Sequence, residues 1–346
     1  MNIKRKIKVL VVDDSLVFRE TIAEGLSKDA SLEVVGTASD AYMARDKILE
    51  LKPDVMTLDV QMPKMNGVEF VKKLMPQYPL PIVMVSSTDD AVFDALKAGA
   101  VDFVVKPDAA GTGLEAFINE LIIKVKIAST AKVGKHKRTP VSDVGTPAES
   151  GSKLNSEMII AIGASTGGTE AILEVLKDLP RDIPGIVIVQ HMPPVFTAMY
   201  ADRLNDNCNI EVREAKNGDR VLPGCALLAP GSYQMQLLRG NDGYYVKCFK
   251  GDRVNGHAPS VDVLFNSVAK HAGGNAIGVI LTGMGNDGAK GLLNMRKNGA
   301  FTIGQDEKSS VVYGMPMAAY NIGAVEKQCS LSSIAGAIMD YLKTKK

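Results

Sequence analysis

Five short runs of uninterrupted apolar residues, each followed by a segment with helical spacing, constrain the fold of this chain more than any other feature. The runs are KVLVV, EVVGT, DVMTL, PIVMV and DFVV, and the periodic segments begin near Leu16, Ala41, Gly67, Ala91 and Leu114. A run without alternation belongs to a strand covered on both faces, and so to a parallel sheet between two helix layers. Residues 1–127 therefore read as one doubly wound α/β domain with five parallel strands.

A chain of 346 residues is too long for one ordinary core. From residue 128 to residue 153 the pattern gives way to ASTAKVGKHKRTPVSDVGTPAESGSK, which has no aromatic side chain and the composition of a flexible linker. Its cluster of Lys132, Lys135, His136, Lys137 and Arg138 reads as a solvated tether. Strand patterns return within residues 154–346 as MIIAIG, GIVIVQ and AIGVILTG, predicting a second, mainly parallel α/β domain. CALLAP, QMQLLR and YYVKCF, separated by Gly, Asn and Asp, predict an antiparallel ribbon inserted in its sheet. The closing SLSSIAGAIMDYLKTKK predicts an amphipathic helix.

Lys+Arg 40 against Asp+Glu 39 leaves a net charge of +1, so bulk charge recruits neither nucleic acid nor a membrane surface. Cys208, Cys225, Cys248 and Cys329 form no CxxC pair, which argues for reduced thiols over a zinc site or a redox dithiol. The apolar run after MNIKRKI stops at Asp13 with no small-residue cleavage site after it, unlike a signal peptide. No apolar stretch has the length of a bilayer span, and the expectation is a cytoplasmic protein without direct membrane insertion.

In an open parallel sheet, function gathers at the carboxyl ends of the strands. Those ends carry Asp13 and Asp14 after the first strand, Asp59 after the third, Ser86 after the fourth and Lys106 after the fifth. Three converging carboxylates repel one another unless a cation compensates, and hard oxygen ligands suit Mg²⁺. The set fits an aspartate that accepts a phosphoryl group, Asp59 being the candidate acceptor and Asp13 with Asp14 the metal pair. The motifs VVDDS, DVQMPKMNG, MVSS and FVVKP resemble the receiver domain of two-component response regulators. The resemblance implies a flavodoxin-like strand order, phosphorylation of Asp59 by a partner histidine kinase, and Mg²⁺ among Asp13, Asp14 and Asp59. It also implies a switch made of Ser86, Phe103 and Lys106. Gln61 and Asn66 depart from the family's usual acids, which bears on phosphoryl lifetime.

The second domain opens on IIAIGASTGG, in which Ser165 follows a strand and is flanked by glycines. A dinucleotide loop needs glycine where Ser165 stands, so that fingerprint is broken. The segment also fits G-x-S-x-G, a strand-to-helix turn that exposes a serine nucleophile. Among the four histidines, His136 falls in the linker and His271 in a helical pattern. His191, ending the next strand, is the better general base and His257 the reserve. Asp287, in TGMGNDG just past a third strand, can orient the base, and backbone N–H groups near Met284 can form an oxyanion hole. The order serine, histidine, acid excludes the α/β-hydrolases, which run serine, acid, histidine.

GASTGG, VQHMP, HAPSVD and LTGMGNDG resemble the catalytic domain of chemotaxis protein-glutamate methylesterases, a family built as receiver, linker and catalytic domain. The resemblance implies hydrolysis of glutamyl methyl esters on chemoreceptor cytoplasmic domains, with deamidation of receptor glutamines. Carried onto this chain, Ser165 is the nucleophile, His191 the base and Asp287 its orienter, with Thr166 and Met284 lining the site. Ala258 stands where relatives commonly have a basic residue. Acyl transfer of this kind calls for no cofactor in the second domain. The family also implies a receiver that inhibits the esterase until Asp59 is phosphorylated. Two rivals remain: a DNA-binding output, for which the second half shows no helix-turn-helix pattern or basic stripe, and a nucleotide-binding output that would survive loss of Ser165.

Overall fold

The computed structural model describes residues 5–87, 91–107, 113–134 and 157–345. The chain divides into two compact units, Met1–Lys135 and His136–Lys346. The first alternates strand and helix throughout: β1 (Ile7–Val12), α1 (Leu16–Ser27), β2 (Leu32–Ala38), α2 (Ala41–Leu51), β3 (Val55–Asp59), α3 (Gly67–Leu74), β4 (Ile82–Ser86), α4 (Ala91–Lys97), β5 (Asp102–Val105) and α5 (Leu114–Ala128). Its sheet has the order β2-β1-β3-β4-β5, parallel throughout. Every residue of β3 and β4 is buried, as continuous apolar runs require. Helix α5 takes in Ala128, where the expected linker starts; Lys135, His136, Lys137 and Arg138 lie outside the described residues.

The second unit runs β6 (Ile159–Ala164), α6 (Gly168–Lys177), β7 (Gly185–Gln190), α7 (Phe196–Asn207), β8 (Glu211–Glu214), β9 (Cys225–Leu228), β10 (Gln234–Gly240), β11 (Gly243–Phe249), α8 (Val261–His271), β12 (Ala276–Ile280), α9 (Ala289–Lys297), β13 (Phe301–Gln305), α10 (Met315–Asn321), β14 (Lys327–Cys329) and α11 (Leu331–Thr344). Seven parallel strands form its main sheet in the order β14-β13-β12-β6-β7-β9-β8. The central strands β6, β7 and β12 are buried along their whole length. Each fully buried Ile or Val there contributes about 1.5–3 kcal/mol relative to exposure.

The expected three-strand ribbon is corrected in two ways. Only β10 and β11 pair antiparallel, and they form a separate two-stranded sheet instead of an insertion. CALL, as β9, pairs parallel with both β7 and β8. Its four residues are all buried, so its apolar run marks a sheet interior, and the Gly and Pro around it mark crossovers instead of hairpins.

In each sheet the chain reverses its direction of winding beside one strand. The reversals fall between β1 and β3 in the first unit and between β6 and β12 in the second, where crevices open beyond the carboxyl ends.

Candidate functional site

At the first reversal β1 delivers Asp13, fully buried, and exposed Asp14, while β3 ends on buried Asp59. The three carboxylates each offer an oxygen within 4.8 Å of the others. Lys106, following β5, sets its Nζ 2.9 Å from Asp13 Oδ2 and 2.7 Å from Asp59 Oδ2. One ammonium thus faces two buried carboxylates, and Asp14 adds a third anion at the mouth. Burial pushes the Asp59 carboxyl up; Lys106 opposes this and the Asp13 charge adds to it, leaving Asp59 above the usual carboxylate range. Burial would lower Lys106, but hydrogen bonds to Asp59 and Asp13 hold it above its ordinary value. This hard-oxygen set with excess negative charge fits a divalent cation.

A cavity of about 470 Å³ opens beside it, lined by Asp14, Gln61, Met62, Asn66 and Ala91 among others. Its wall depends on a tight return after β3: Gly67 N donates to Val60 O at 2.9 Å, and a Cβ on Gly67 would stand 2.2 Å from Asp59 O. Gln61 donates its backbone N–H to Asp59 Oδ1 at 3.2 Å, and Asn66 caps α3 by accepting from Glu69 N at 2.8 Å. Ser86 is buried at the end of β4, where its carbonyl accepts from Lys106 N at 2.7 Å. Phe103 is buried within β5, with Lys124 Nζ 5.0 Å from its ring centroid.

At the second reversal, half-buried Ser165 leaves β6 and α6 starts three residues later. Gly167 takes φ 77° at the turn. Ser165 N donates to Thr282 O at 3.0 Å, which ties the turn to the end of β12. The approach is close enough that a Cβ on Gly283 would lie 2.6 Å from the Ser165 Cβ. His191 N donates to Ala164 O at 3.2 Å, so the residue after β7 stands beside the one that precedes Ser165, on the same sheet edge.

His191 is nearly buried, and its Nε2 lies 2.9 Å from Asp287 Oδ2. Its Nδ1 is buried and has no hydrogen-bond partner, so no bond to Ser165 is formed in this structure. With Nε2 directed at a carboxylate, the neutral ring carries its proton there and leaves the Nδ1 lone pair open.

Asp287 is embedded in donors. Its Oδ1 accepts from Asn255 Nδ2 at 2.7 Å, Ser260 Oγ at 2.8 Å and Asp262 N at 3.2 Å, and its Oδ2 accepts from Val261 N at 2.7 Å. The backbone donors belong to the first turn of α8, whose positive end favours an anion. Burial alone would raise Asp287, but hydrogen bonds from His191, Asn255 and Ser260 hold it well below the usual carboxylate range.

Thr166 is buried, and its carbonyl accepts from Thr282 Oγ1 at 3.0 Å, while Met284 is 45% exposed on the loop leading to Asp287. Sequence reasoning missed Asn255, Ser260 and Gln190. Gln190 Nε2 donates to Ser165 O at 2.9 Å and to His191 O at 3.2 Å, bracing both strand ends. A lone amide closing the otherwise apolar GIVIVQ was its signal in the sequence. His257 stacks flat on His191, ring centroids 3.6 Å apart and planes within 8°. His271 closes α8, and burial of Cys208 and Cys248 pushes those thiols up to about 11, so they stay protonated. No helix among the described residues is long and apolar enough to cross a membrane.

Comparison with known proteins covers both units. The family model for the CheB methylesterase matches residues 160–338, and that for the response regulator receiver domain matches residues 9–117. A protein-glutamate methylesterase/protein-glutamine glutaminase 2 of Syntrophomonas wolfei is 58% identical over 335 residues, 96% of this chain and 97% of its own. A protein-glutamate methylesterase/protein-glutamine glutaminase of Salmonella typhimurium is 50% identical over 335 residues, 95% of each chain. The crystal structure of the Thermotoga maritima CheB methylesterase catalytic domain matches with a TM-score of 0.53 at 34% identity, covering 54% of this chain and 100% of that one.

Proposed function

The chain belongs to the CheB methylesterase family, joined to a response regulator receiver domain, and from that premise we propose that it is a phosphorylation-controlled esterase of receptor adaptation. It hydrolyses glutamyl methyl esters on chemoreceptor cytoplasmic domains to glutamate and methanol, and it deamidates receptor glutamines. The observation that carries this reading is the His191 ring, with Nε2 on Asp287 and a buried, unpartnered Nδ1 at the strand end beside that of Ser165.

Ser165 Oγ attacks the ester carbonyl carbon while His191 Nδ1 takes its proton. The tetrahedral oxyanion meets backbone N–H groups near Met284 and Thr166, and its collapse expels methanol, which receives the proton from His191. Water then attacks the glutamyl-serine ester with His191 again the base, releasing glutamate and returning the proton to Ser165 Oγ. General-base help is worth roughly 10² to 10⁴ in rate and oxyanion donors roughly 10² to 10³. Asp287 stays ionised throughout, holding the tautomer and balancing the imidazolium.

In the receiver, Asp59 accepts a phosphoryl group from the phosphohistidine of a chemotaxis kinase, its oxygen forming the P–O bond as the P–N bond breaks. A divalent cation, Mg²⁺ on this donor set, would be held by Asp13, Asp14 and Asp59 and would neutralise phosphoryl charge. Lys106, whose Nζ lies between Asp13 and Asp59, would follow the transferred oxygens, and Ser86 would bond them. The added charge, up to about −2, shifts the Ser86 and Phe103 switch and releases the esterase.

Ser165→Ala, assayed for methanol release with and without a small-molecule phosphodonor, tests this reading. The variant is expected to lose hydrolysis in both conditions. Retained hydrolysis would remove Ser165 as the nucleophile.

A further inference from the structure

One turn of the second unit supplies side chains to two members of the catalytic set. Val254 N donates to His257 O at 3.0 Å and His257 N to Val254 O at 2.9 Å, closing a two-residue turn over Asn255 and Gly256. Both central residues are left-handed, with φ 54° and 86°, as such a tight turn demands. Gln234 Nε2 anchors it from β10 by donating to Asp252 O and His257 O, each at 3.0 Å. The turn is therefore fixed by backbone bonds at its neck and by the Gln234 side-chain amide at its base.

From this frame Asn255 Nδ2 reaches Asp287 Oδ1 at 2.7 Å and Asp262 Oδ2 at 2.8 Å. Two residues on, the His257 ring lies flat against His191 at 3.6 Å. An imidazole held by one hydrogen bond keeps freedom to swing about its Cβ–Cγ bond. His191 has one such bond and an open Nδ1, so the Asp287 contact alone does not hold the ring plane. The stacked ring covers one face and removes that freedom.

We infer that the turn at residues 254–257 is a clamp that sets the plane of the His191 imidazole, with His257 a positioning residue of the esterase. The inference rests on the reading of His191 as the base.

His257 suits this role because burial and the neighbouring His191 push its pKa down to about 4, so it stays neutral near pH 7. A neutral ring tolerates the charge that develops on His191 during the reaction; a second imidazolium would repel it. The ionisable groups around the pair are Asp287 on Nε2, Asp262 joined to Asp287 through Asn255, and Arg253 next to the turn. His257 meets His191 face to face, so its own nitrogens are not directed along the line from base to acid.

The test uses the full-length, phosphodonor-activated protein with methylated receptor membranes as substrate. His257→Ala is expected to lower kcat by about 10²-fold, the scale of a misoriented catalytic group, with KM within about twofold. His257→Phe, which keeps a neutral flat ring, should recover kcat to within about fivefold of the parent. His257→Arg should stay slow and move the acid limb of kcat/KM to lower pH, because a fixed cation disfavours the imidazolium. The clamp is overturned if His257→Ala turns over at the parental rate, if the loss lies in KM alone, or if the Phe variant is as slow as Ala. Where the Ala variant does not fold, equal kcat for Phe and Arg overturns it instead. His191→Ala separates the two readings: activity surviving there removes the base assignment, whereas parental activity in His257→Ala beside an inactive His191→Ala removes only the clamp.

Discussion

Asp59 and Asp287 stand at corresponding places in the two units, each at the carboxyl edge of a parallel sheet beside its winding reversal, and both are almost wholly buried. Their acidities nevertheless move in opposite directions. Asp59 accepts one backbone N–H, from Gln61, shares the Lys106 ammonium with Asp13, and is pushed up. Asp287 accepts from two side-chain donors, two N–H groups at the start of α8 and the His191 ring, and is held down. Burial is similar, so the neighbours decide: burial and the Asp13 charge outweigh Lys106 at Asp59, whereas the many donors outweigh burial at Asp287. The contrast suits the two roles proposed above: a phosphoryl acceptor needs an oxygen not yet committed to fixed donors, whereas an orienting carboxylate has to remain ionised and still.

The sharpest way to break this comparison is Asp287→Asn. An amide in that cage reverses the donor and acceptor pattern around Nε2 and favours the wrong His191 tautomer, so kcat for methanol release should fall by about 10⁴ with the fold retained. A fall below tenfold would mean that Asp287 is only a structural cap of α8. A chelator, or Asp59→Asn, should abolish phosphoryl uptake, and the ratio of esterase rate with phosphodonor to rate without it should fall to about one. Stimulation persisting in either case would mean that control does not pass through the carboxylate cluster.

The smallest effect concerns stability. His257 titrates at about 4 in the fold against an ordinary 6.5. Between those values the unfolded chain binds more protons, so stability is fully present above about 6.5 and is lost progressively as pH falls towards 4. Asp287, held down in the fold, adds its own loss only below the ordinary carboxylate range, which keeps the two windows apart. Melting temperatures recorded across that range should flatten in His257→Phe, and an unchanged slope would assign the window to other groups.

Strands buried on both faces were legible because continuous apolar runs have no other use in a parallel sheet, as β3, β4, β6 and β7 show. The short strands β8 and β14, EVRE and KQC, escaped notice because edge strands pair on one side only and need no apolar run. The turn residues around β9 resemble hairpin loops, which is why its sequence points to a hairpin although the strand pairs parallel with β7 and β8. At the sites, Asp13, Asp14, Asp59 and Lys106 gather as the sequence implies, and His191 joins Asp287. Asn255 and Ser260 were hidden because nothing local marks an amide or hydroxyl as the partner of a carboxylate 32 or 27 residues away.

Local patterning by itself determined the two α/β units and the placement of the candidate site residues at strand ends, since periodicity and turn chemistry act over a few neighbouring residues. Tertiary structure alone decided which ends adjoin, which nitrogen of His191 faces Asp287, and that His257 covers its ring. Those outcomes rest on directional contacts that join residues 96 and 116 positions apart, and angles of that kind exist only once the sheet has closed its strand order.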